Sequence, residues 1–462
     1  MEENGPAGFV RTNHWVNADW AGGMDPECDG LGQCTAVVKD AITRPVTVSN
    51  VNGNANSFTT SFTYGASGTD KGLQKTVTSS LDPGAPATIA YQADGDFAAI
   101  TYTGGDFTLT PGYDTSDRVS KLSWMKGTTL IASDETVMSR SGRVIDQLVD
   151  GVDQSVSGPA FTYDTAGRLT AATPATGTAI TYAYAAPSCG FTGSAKNGNR
   201  TSKTVNGATT PFCFDDADRL TTINGATVTY DDHGRTATLN GKTFGWSMRN
   251  EHISTTSTGT TISMEPDGLG RILQRTQTGQ TDTWYGYGTS TDSASYTATV
   301  ASGALTVLDQ MQSLPGGVGI TRKTSTGAIR YTLPNRHGDL LATVDQTGTK
   351  QGNTYKWDPD GMPITGTTQP DLLTGNLENG WLAQHNRPVD TTDPNMPIIE
   401  MGARPYLPTI GRFLTIDPLE GGNSNDYTYP NDPINQNDLN GNVCWSCAWK
   451  KVASALKWGN DY

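Results

Sequence analysis

Charge is scarce in this chain. Asp, Glu, Lys and Arg make up only 17% of its 462 residues. Lys, Glu and Leu are thinly spread, and this shortage of helix formers argues against a mainly helical protein. No apolar run approaches the ~20 residues of a membrane-spanning helix. The opening Met1-Glu2-Glu3-Asn4-Gly5-Pro6 has neither the basic nor the apolar region of a signal peptide. Secretion would therefore need a longer precursor or another export route, and the chain reads as a fragment of a longer one.

Cysteine is also rare. Cys28, Cys34, Cys189, Cys213, Cys444 and Cys447 are too few for a disulfide scaffold. Their three local pairs are compatible with disulfides, with buried free thiols as the equal alternative. Catalytic signatures are missing as well. There is no Gly-x-Ser-x-Gly elbow, phosphate-binding loop or dinucleotide fingerprint. The five histidines (His14, His233, His252, His337 and His385) are scattered, and His233 and His337 fall in predicted turns. Cys444-Trp445-Ser446-Cys447 has no second ligand pair for zinc. Asp25-Pro26-Glu27-Cys28-Asp29-Gly30 begins like a calcium loop but reaches Ala36 where a Glu is required, so it reads as a turn. The expectation is therefore no cofactor and no metal. The net charge of −14 disfavours nucleic acid and anionic membranes as partners and suits solubility.

What the chain has is glycine, 53 residues of it, with abundant Ser and Thr and with 17 Tyr and 10 Trp. That composition suits strands and turns, and the aromatics argue against disorder. One pattern recurs. It reads Tyr113-Asp114-Thr115-Ser116-Asp117-Arg118-Val119, then Tyr163-Asp164-Thr165-Ala166-Gly167-Arg168-Leu169. Phe214-Asp215-Asp216-Ala217-Asp218-Arg219-Leu220 and Tyr230-Asp231-Asp232-His233-Gly234-Arg235-Thr236 follow. Weaker echoes are Ser141-Gly142-Arg143-Val144, Trp357-Asp358-Pro359-Asp360-Gly361, and Glu265 to Ile272, where the pattern resumes after a short insertion.

Asn-Gly pairs at 206, 224 and 240 interleave with Phe214, Tyr230 and Trp246. Asn-Gly favours the positive φ of a type I′ hairpin turn. Each period of 16 to 18 residues is thus strand, aromatic-Asp turn, strand, Asn-Gly turn. Within the first turn, the Asp is expected to cap backbone N–H groups and pair with the Arg, while the aromatic buries surface. Single hairpins are not stable alone, so they must pair edge to edge in a long antiparallel sheet.

These residues resemble the tyrosine-aspartate (YD) repeats of the RHS family, found in bacterial polymorphic toxins and animal teneurins. The resemblance covers about residues 60 to 441. It implies an all-β fold in which a long spiralling antiparallel sheet of YD-repeat hairpins forms a hollow shell. Gly402-Ala403-Arg404-Pro405-Tyr406 through Gly411-Arg412-Phe413 to Asp417-Pro418 resembles the RHS repeat-associated core, as do Tyr427-Thr428-Tyr429 to Asp438-Leu439-Asn440-Gly441 and the upstream Leu333 to Leu340. The implied division is a segment without repeats at 1–45, a repeat shell at 46–330, a core closing the shell at 331–441, and a stub of a variable C-terminal region at 442–462. In that stub, Trp445, Trp449, Val452 and Leu456 are spaced for one face of a short helix.

The resemblance implies a structural shell that encapsulates or presents a C-terminal toxin or effector, with an immunity protein as a further partner and a secreted or cell-surface location. The only chemistry it implies is aspartyl-type self-cleavage after the core. Carried over by position, the paired carboxylates are Asp417 and Asp438, and the cut falls after Asn442. The motifs depart from the family pattern, since Gly is delayed to 421 in the first and Pro is missing from the second. The alternative is that both aspartates only form turns. A different functional reading is a cell-surface adhesion protein binding glycans, with Trp284-Tyr285-Gly286-Tyr287 as candidate sugar-binding aromatics against a packing role.

Overall fold

A computed structural model describes residues 34–51 and 58–442, except 156–157, 176–177, 186–188, 190–195, 288–291, 365–371, 374–376 and 420–423, together with short strands at Glu2–Asn4, Val10–Thr12 and Glu27–Cys28. Beyond a two-stranded ladder formed by Glu2–Asn4 and Val10–Thr12, four antiparallel sheets follow one another, and in each of them strand order is sequence order. Twelve strands run from Glu27–Cys28 to Val152–Asp153, and seven from Phe161–Tyr163 to Ala226–Thr227. Thirteen then run from Thr229–Tyr230 to Lys350–Gln351, and five from Leu377–Asn379 to Arg412–Phe413. Every strand pairs with its chain neighbour, as hairpins added edge to edge must.

The aromatic-Asp turns have one recurring geometry. At Asp164, Oδ1 accepts the N–H of Ala166 and of Arg168, both at 2.9 Å, and Oδ2 accepts Arg168 Nε at 2.7 Å. The same bonds recur at Asp114–Arg118, Asp215–Arg219 and Asp231–Arg235. Where the pattern has Gly, Gly167 and Gly234 take positive φ, and where it has Asp, Asp117 and Asp218 do so instead. Asp tolerates the left-handed region better than most residues, which explains the alternation. The Asn-Gly pairs at 206, 224 and 240 all have positive φ at both residues, as a type I′ turn requires.

Two turns differ from expectation. Asp267–Arg271 shows the full bonding pattern with no insertion, Pro266 standing in the aromatic position. Asp40–Arg44 shows it too, with Lys39 before the Asp. Without the aromatic and the Gly, nothing in its sequence marked it.

Successive turns lock to one another. The hydroxyl of one tyrosine donates to the carbonyl of the residue that follows the previous turn's arginine. Tyr163 reaches Val144 at 2.7 Å, Tyr184 reaches Leu169 at 3.0 Å and Tyr287 reaches Ile272 at 2.8 Å. That arginine stacks on the same ring: Arg168 lies 4.1 Å from the centre of Tyr184, and Arg271 lies 4.2 Å from that of Tyr287. Each hairpin thereby gains cation–π and hydrogen-bond contacts that it lacks in isolation. Asp164→Ala is expected to cost about 1–2 kcal/mol by uncapping two N–H groups. Asp164→Asn, which keeps an acceptor, is expected to cost less, and thermal unfolding of the two variants checks the ranking.

The walls of the shell meet through inward-facing side chains. Ile100, Tyr102, Phe107 and Trp124 of the twelve-stranded sheet pack on Val318, Ile320, Tyr331 and Leu333 of the thirteen-stranded one. Trp124 Nε1 donates to the Pro334 carbonyl at 3.0 Å across that junction. The five-stranded sheet buries Ile398 and Leu407 against Phe212, Phe214, Leu239 and Phe244. Cys189 and Cys213 form a disulfide across 24 residues. The backbones of Cys28 and Cys34 pair in register on adjacent strands. Cys444, Cys447 and the expected C-terminal helix lie outside the described residues. Among the described residues, no helix is long and apolar enough to cross a membrane.

Candidate functional site

The two aspartates singled out by position come together on one arginine. Arg404 sits on strand Arg404–Leu407 and is fully buried, as is Asp438, while Asp417 is 8% exposed. Arg404 Nη2 lies 2.9 Å from Asp417 Oδ2 and 3.0 Å from Asp438 Oδ2. The two acidic oxygens are therefore within about 6 Å of each other. Arg404 also donates Nε to the Gly441 carbonyl and Nη1 to the Asp426 carbonyl at 2.9 Å, and its guanidinium stacks on Phe413. Burial pushes this arginine below its ordinary pKa against the opposing pull of Asp417 and Asp438.

Each aspartate uses its other oxygen to hold a turn. Asp417 Oδ1 accepts Leu419 N–H at 2.9 Å, and Asp438 Oδ1 accepts Asn442 N–H at 3.1 Å. The turn role and the pairing thus coexist in the same residues. Gly441 makes this closure possible. It has φ +67°, and a Cβ there would lie 2.7 Å from the Met401 carbonyl oxygen and 2.8 Å from Arg404 N. Only glycine lets the last turn sit so close to the strand that carries Arg404.

A second buried charge cluster fastens the Trp357 turn to the shell. Asp360 Oδ1 meets Arg200 Nη1 at 2.5 Å, and its Oδ2 meets Lys203 Nζ at 2.9 Å and the Tyr182 hydroxyl at 3.1 Å. Lys203 Nζ also reaches Asp358 Oδ2 at 2.8 Å. Burial pushes the Asp360 carboxyl up, but Arg200 and Lys203 outweigh it and hold it at about 2. Asp358 is moved upward by burial. No motif pointed to Arg200 or Lys203, because their partners lie more than 150 residues away.

The remaining singled-out residues are placed as follows. His233 is exposed in its turn. His337 is packed, with Nδ1 2.9 Å from Asp339 Oδ1. Trp284, Tyr285 and Tyr287 are each 5–6% exposed; Trp284 packs with Tyr296, Ala298 and Val307, while Tyr285 and Tyr287 pack with Leu377. Among the described residues, Asp94, Asp96 and Asp117 are the group of potential metal ligands close enough together to share an ion; they sit at the surface, where such acidic groups are common.

Meandering sheets of interlocked aromatic-Asp hairpins, closed by a small sheet whose arginine gathers two carboxylates, define a YD-repeat shell protein. Known proteins agree. Residues 85–302 match the teneurin YD-shell family. The chain is 25% identical over 253 residues to the tRNA3(Ser)-specific nuclease WapA of Bacillus spizizenii, covering 53% of this chain and 10% of that protein. It is 26% identical over 265 residues to the tRNA(Glu)-specific nuclease WapA of Bacillus subtilis subsp. natto, with the same coverage. Its fold is similar to a TcdB2-TccC3-TEV crystal structure, with TM-score 0.64 and 17% identity over 88% of this chain and 21% of that one. The Photorhabdus luminescens Tc holotoxin pore gives TM-score 0.65 and 15% identity over 91% and 22%. Just under half of the chain thus matches the YD-shell family, and its fold is shared with these RHS shell structures. The chain spans about a tenth of the length of these curated relatives and about a fifth of these structures.

Proposed function

We propose that this chain is the shell of an RHS-type polymorphic toxin, which encloses or presents an effector carried C-terminal to the core and is cut from it by the shell itself. In this reading the repeats at 46–330 form the wall and 331–441 close it. The wall sheet reaches back into the repeat-free segment expected at 1–45, since Cys34–Lys39 pairs into it and Asp40–Arg44 forms a repeat-type turn, and 442–462 begin the variable region. The toxin segment is the principal partner, an immunity protein is a second one, and the protein acts after secretion or at the cell surface. The nuclease relatives and the toxin structures of the same fold support this reading.

The observation that carries the self-cleavage step is the convergence of Asp417 and Asp438 on Arg404, with the Asn442 amide held by Asp438. Two carboxylates gathered beside one peptide bond suit acid and base work on that bond. One carboxylate takes a proton from water as the water oxygen adds to the Asn442 carbonyl. The other donates a proton to the Val443 nitrogen as the peptide bond breaks, leaving an Asn442 carboxylate and a Val443 amine. Arg404 positions both carboxylates and the Gly441 carbonyl beside them.

The test is a chain extended beyond the core, purified and weighed by mass spectrometry. The wild type is expected to appear as two pieces joined at 442/443, and Asp417→Asn as one intact chain with unchanged far-UV circular dichroism. An intact wild-type chain would remove the self-cleavage step.

A further inference from the structure

Three turns that break the repeat's turn chemistry gather around one cavity. In the regular turns an Asp holds the Arg four residues on. At 139–143 the Asp position is Ser139, which still receives Arg143 N–H at 3.2 Å but offers no carboxylate. At 335–339 it is Asn335, and Asp339 stands where the Arg belongs. At 358–362 the Asp remains and Met362 replaces the Arg, so Asp358 turns to Lys203. All three turns contribute to the walls of a cavity of about 790 Å³. That volume is in the range of small-ligand sites.

The first of these substitutions frees Arg143 from a carboxylate in its own turn. Arg143, without a carboxylate in its own turn, reaches Asp432 through Nε at 3.3 Å, and its outer nitrogens remain to donate. The Arg336 guanidinium makes its hydrogen bonds to neutral groups, Thr136 Oγ1 at 2.7 Å and Met138 Sδ at 3.7 Å, and burial pushes its pKa down against the pull of Asp134. Arg140 is exposed at the rim. The His337 ring is oriented by Asp339, and its Nε2 is buried near the Pro433 carbonyl without completing a hydrogen bond to it.

The acids of the wall are already engaged. Asp339 accepts from His337, Asn335 and Leu382 N–H, and Asp134 accepts from Gln147 and from Arg336 N–H. Burial opposes a proton on His337, but the Asp339 carboxylate outweighs it and raises the ring's pKa. Asp432 is pushed by burial up to about 6. Both shifts make the cavity more positive as pH falls toward 6. Apolar walls come from Val149, Phe161, Leu341 and Ile434.

We propose that this cavity is an anion-binding site for a small organic ligand bearing a carboxylate or phosphate, with Arg336 and Arg143 as its principal donors and Arg140 at its mouth. Free guanidinium N–H groups in a partly desolvated wall suit such oxyanions, which they bind through charge-assisted hydrogen bonds. Asn437 and Leu439, beside Asp438, also line the cavity, but Arg404, Asp417 and Asp438 do not, and the proposal does not depend on self-cleavage or on a toxin cargo.

Calorimetric titration of the full chain at pH 6 with citrate, glucose 6-phosphate, inorganic phosphate and glucose tests it. Citrate and glucose 6-phosphate are expected to bind, inorganic phosphate more weakly, and glucose not at all. Arg336→Gln is expected to weaken citrate binding about tenfold or more, the loss of one charge-assisted contact. Arg140→Gln, on an exposed side chain that cannot disturb folding, is expected to weaken it severalfold, and raising the pH to 8 should act in the same direction. The proposal fails if no anion binds at millimolar concentration. It fails equally if glucose binds as well as its phosphate, or if Arg336→Gln and Arg140→Gln both keep wild-type affinity.

Discussion

Asp360→Ala is expected to lower the stability of the closed shell by about 3–5 kcal/mol, the cost of breaking a buried ion pair from one side. Arg200 would keep the face of Tyr182 at 4.3 Å and a 3.3 Å contact to the Tyr184 hydroxyl, but no carboxylate. Lys203 would keep Asp358 alone. Most of the damage is therefore an uncompensated guanidinium, and adding Arg200→Met to Asp360→Ala is expected to recover much of it. Thermal unfolding of the two single variants and the double variant checks this; a double variant no better than Asp360→Ala would refute it. The same carboxylate sets an acid limit. Its pKa is depressed from 3.8 to about 2, so its contribution is complete above about pH 4 and is lost as pH falls from there toward 2. Asp360→Ala should flatten that part of the stability profile.

Arg404→Leu is expected to release the closing segment at a similar cost, about 3–5 kcal/mol, because it leaves Asp417 and Asp438 buried and facing each other. It also strips a donor from the Gly441 and Asp426 carbonyls. Hydrogen exchange should rise at 424–442 while the hairpins at 107–149 keep their protection. Arg404→Lys should rescue little. A single ammonium cannot reproduce a fork whose Nε, Nη1 and Nη2 each serve a different partner. Full protection at 424–442 in Arg404→Leu would show that the apolar contacts of Tyr406, Phe413 and Tyr429 suffice to hold the segment.

The two clusters show what kind of information the chain carries openly. Asp164 and Arg168 lie four residues apart, and every bond of that turn is local, so composition and spacing were enough to read it. Asn224-Gly225 is likewise a two-residue statement about φ. Edge-to-edge pairing follows from such hairpins because none can bury its face alone. Even the copies that escaped notice are instructive. Asp40–Arg44 makes the same bonds without the aromatic or the glycine, so the Asp and the Arg suffice for the turn, while the aromatic belongs to the next level of packing.

The sequence by itself therefore determined the turn chemistry, the hairpin period, the all-β class and the positions of Asp417 and Asp438. The tertiary structure alone decided that Arg404 gathers those aspartates, that Asp360 meets Arg200 across 160 residues, and that the turns at 139, 335 and 358 share a cavity. The reason is range. Turn geometry is fixed by hydrogen bonds within five residues. A buried charge can find its counterion anywhere the winding sheet returns, and that pairing leaves no spacing in the chain to read.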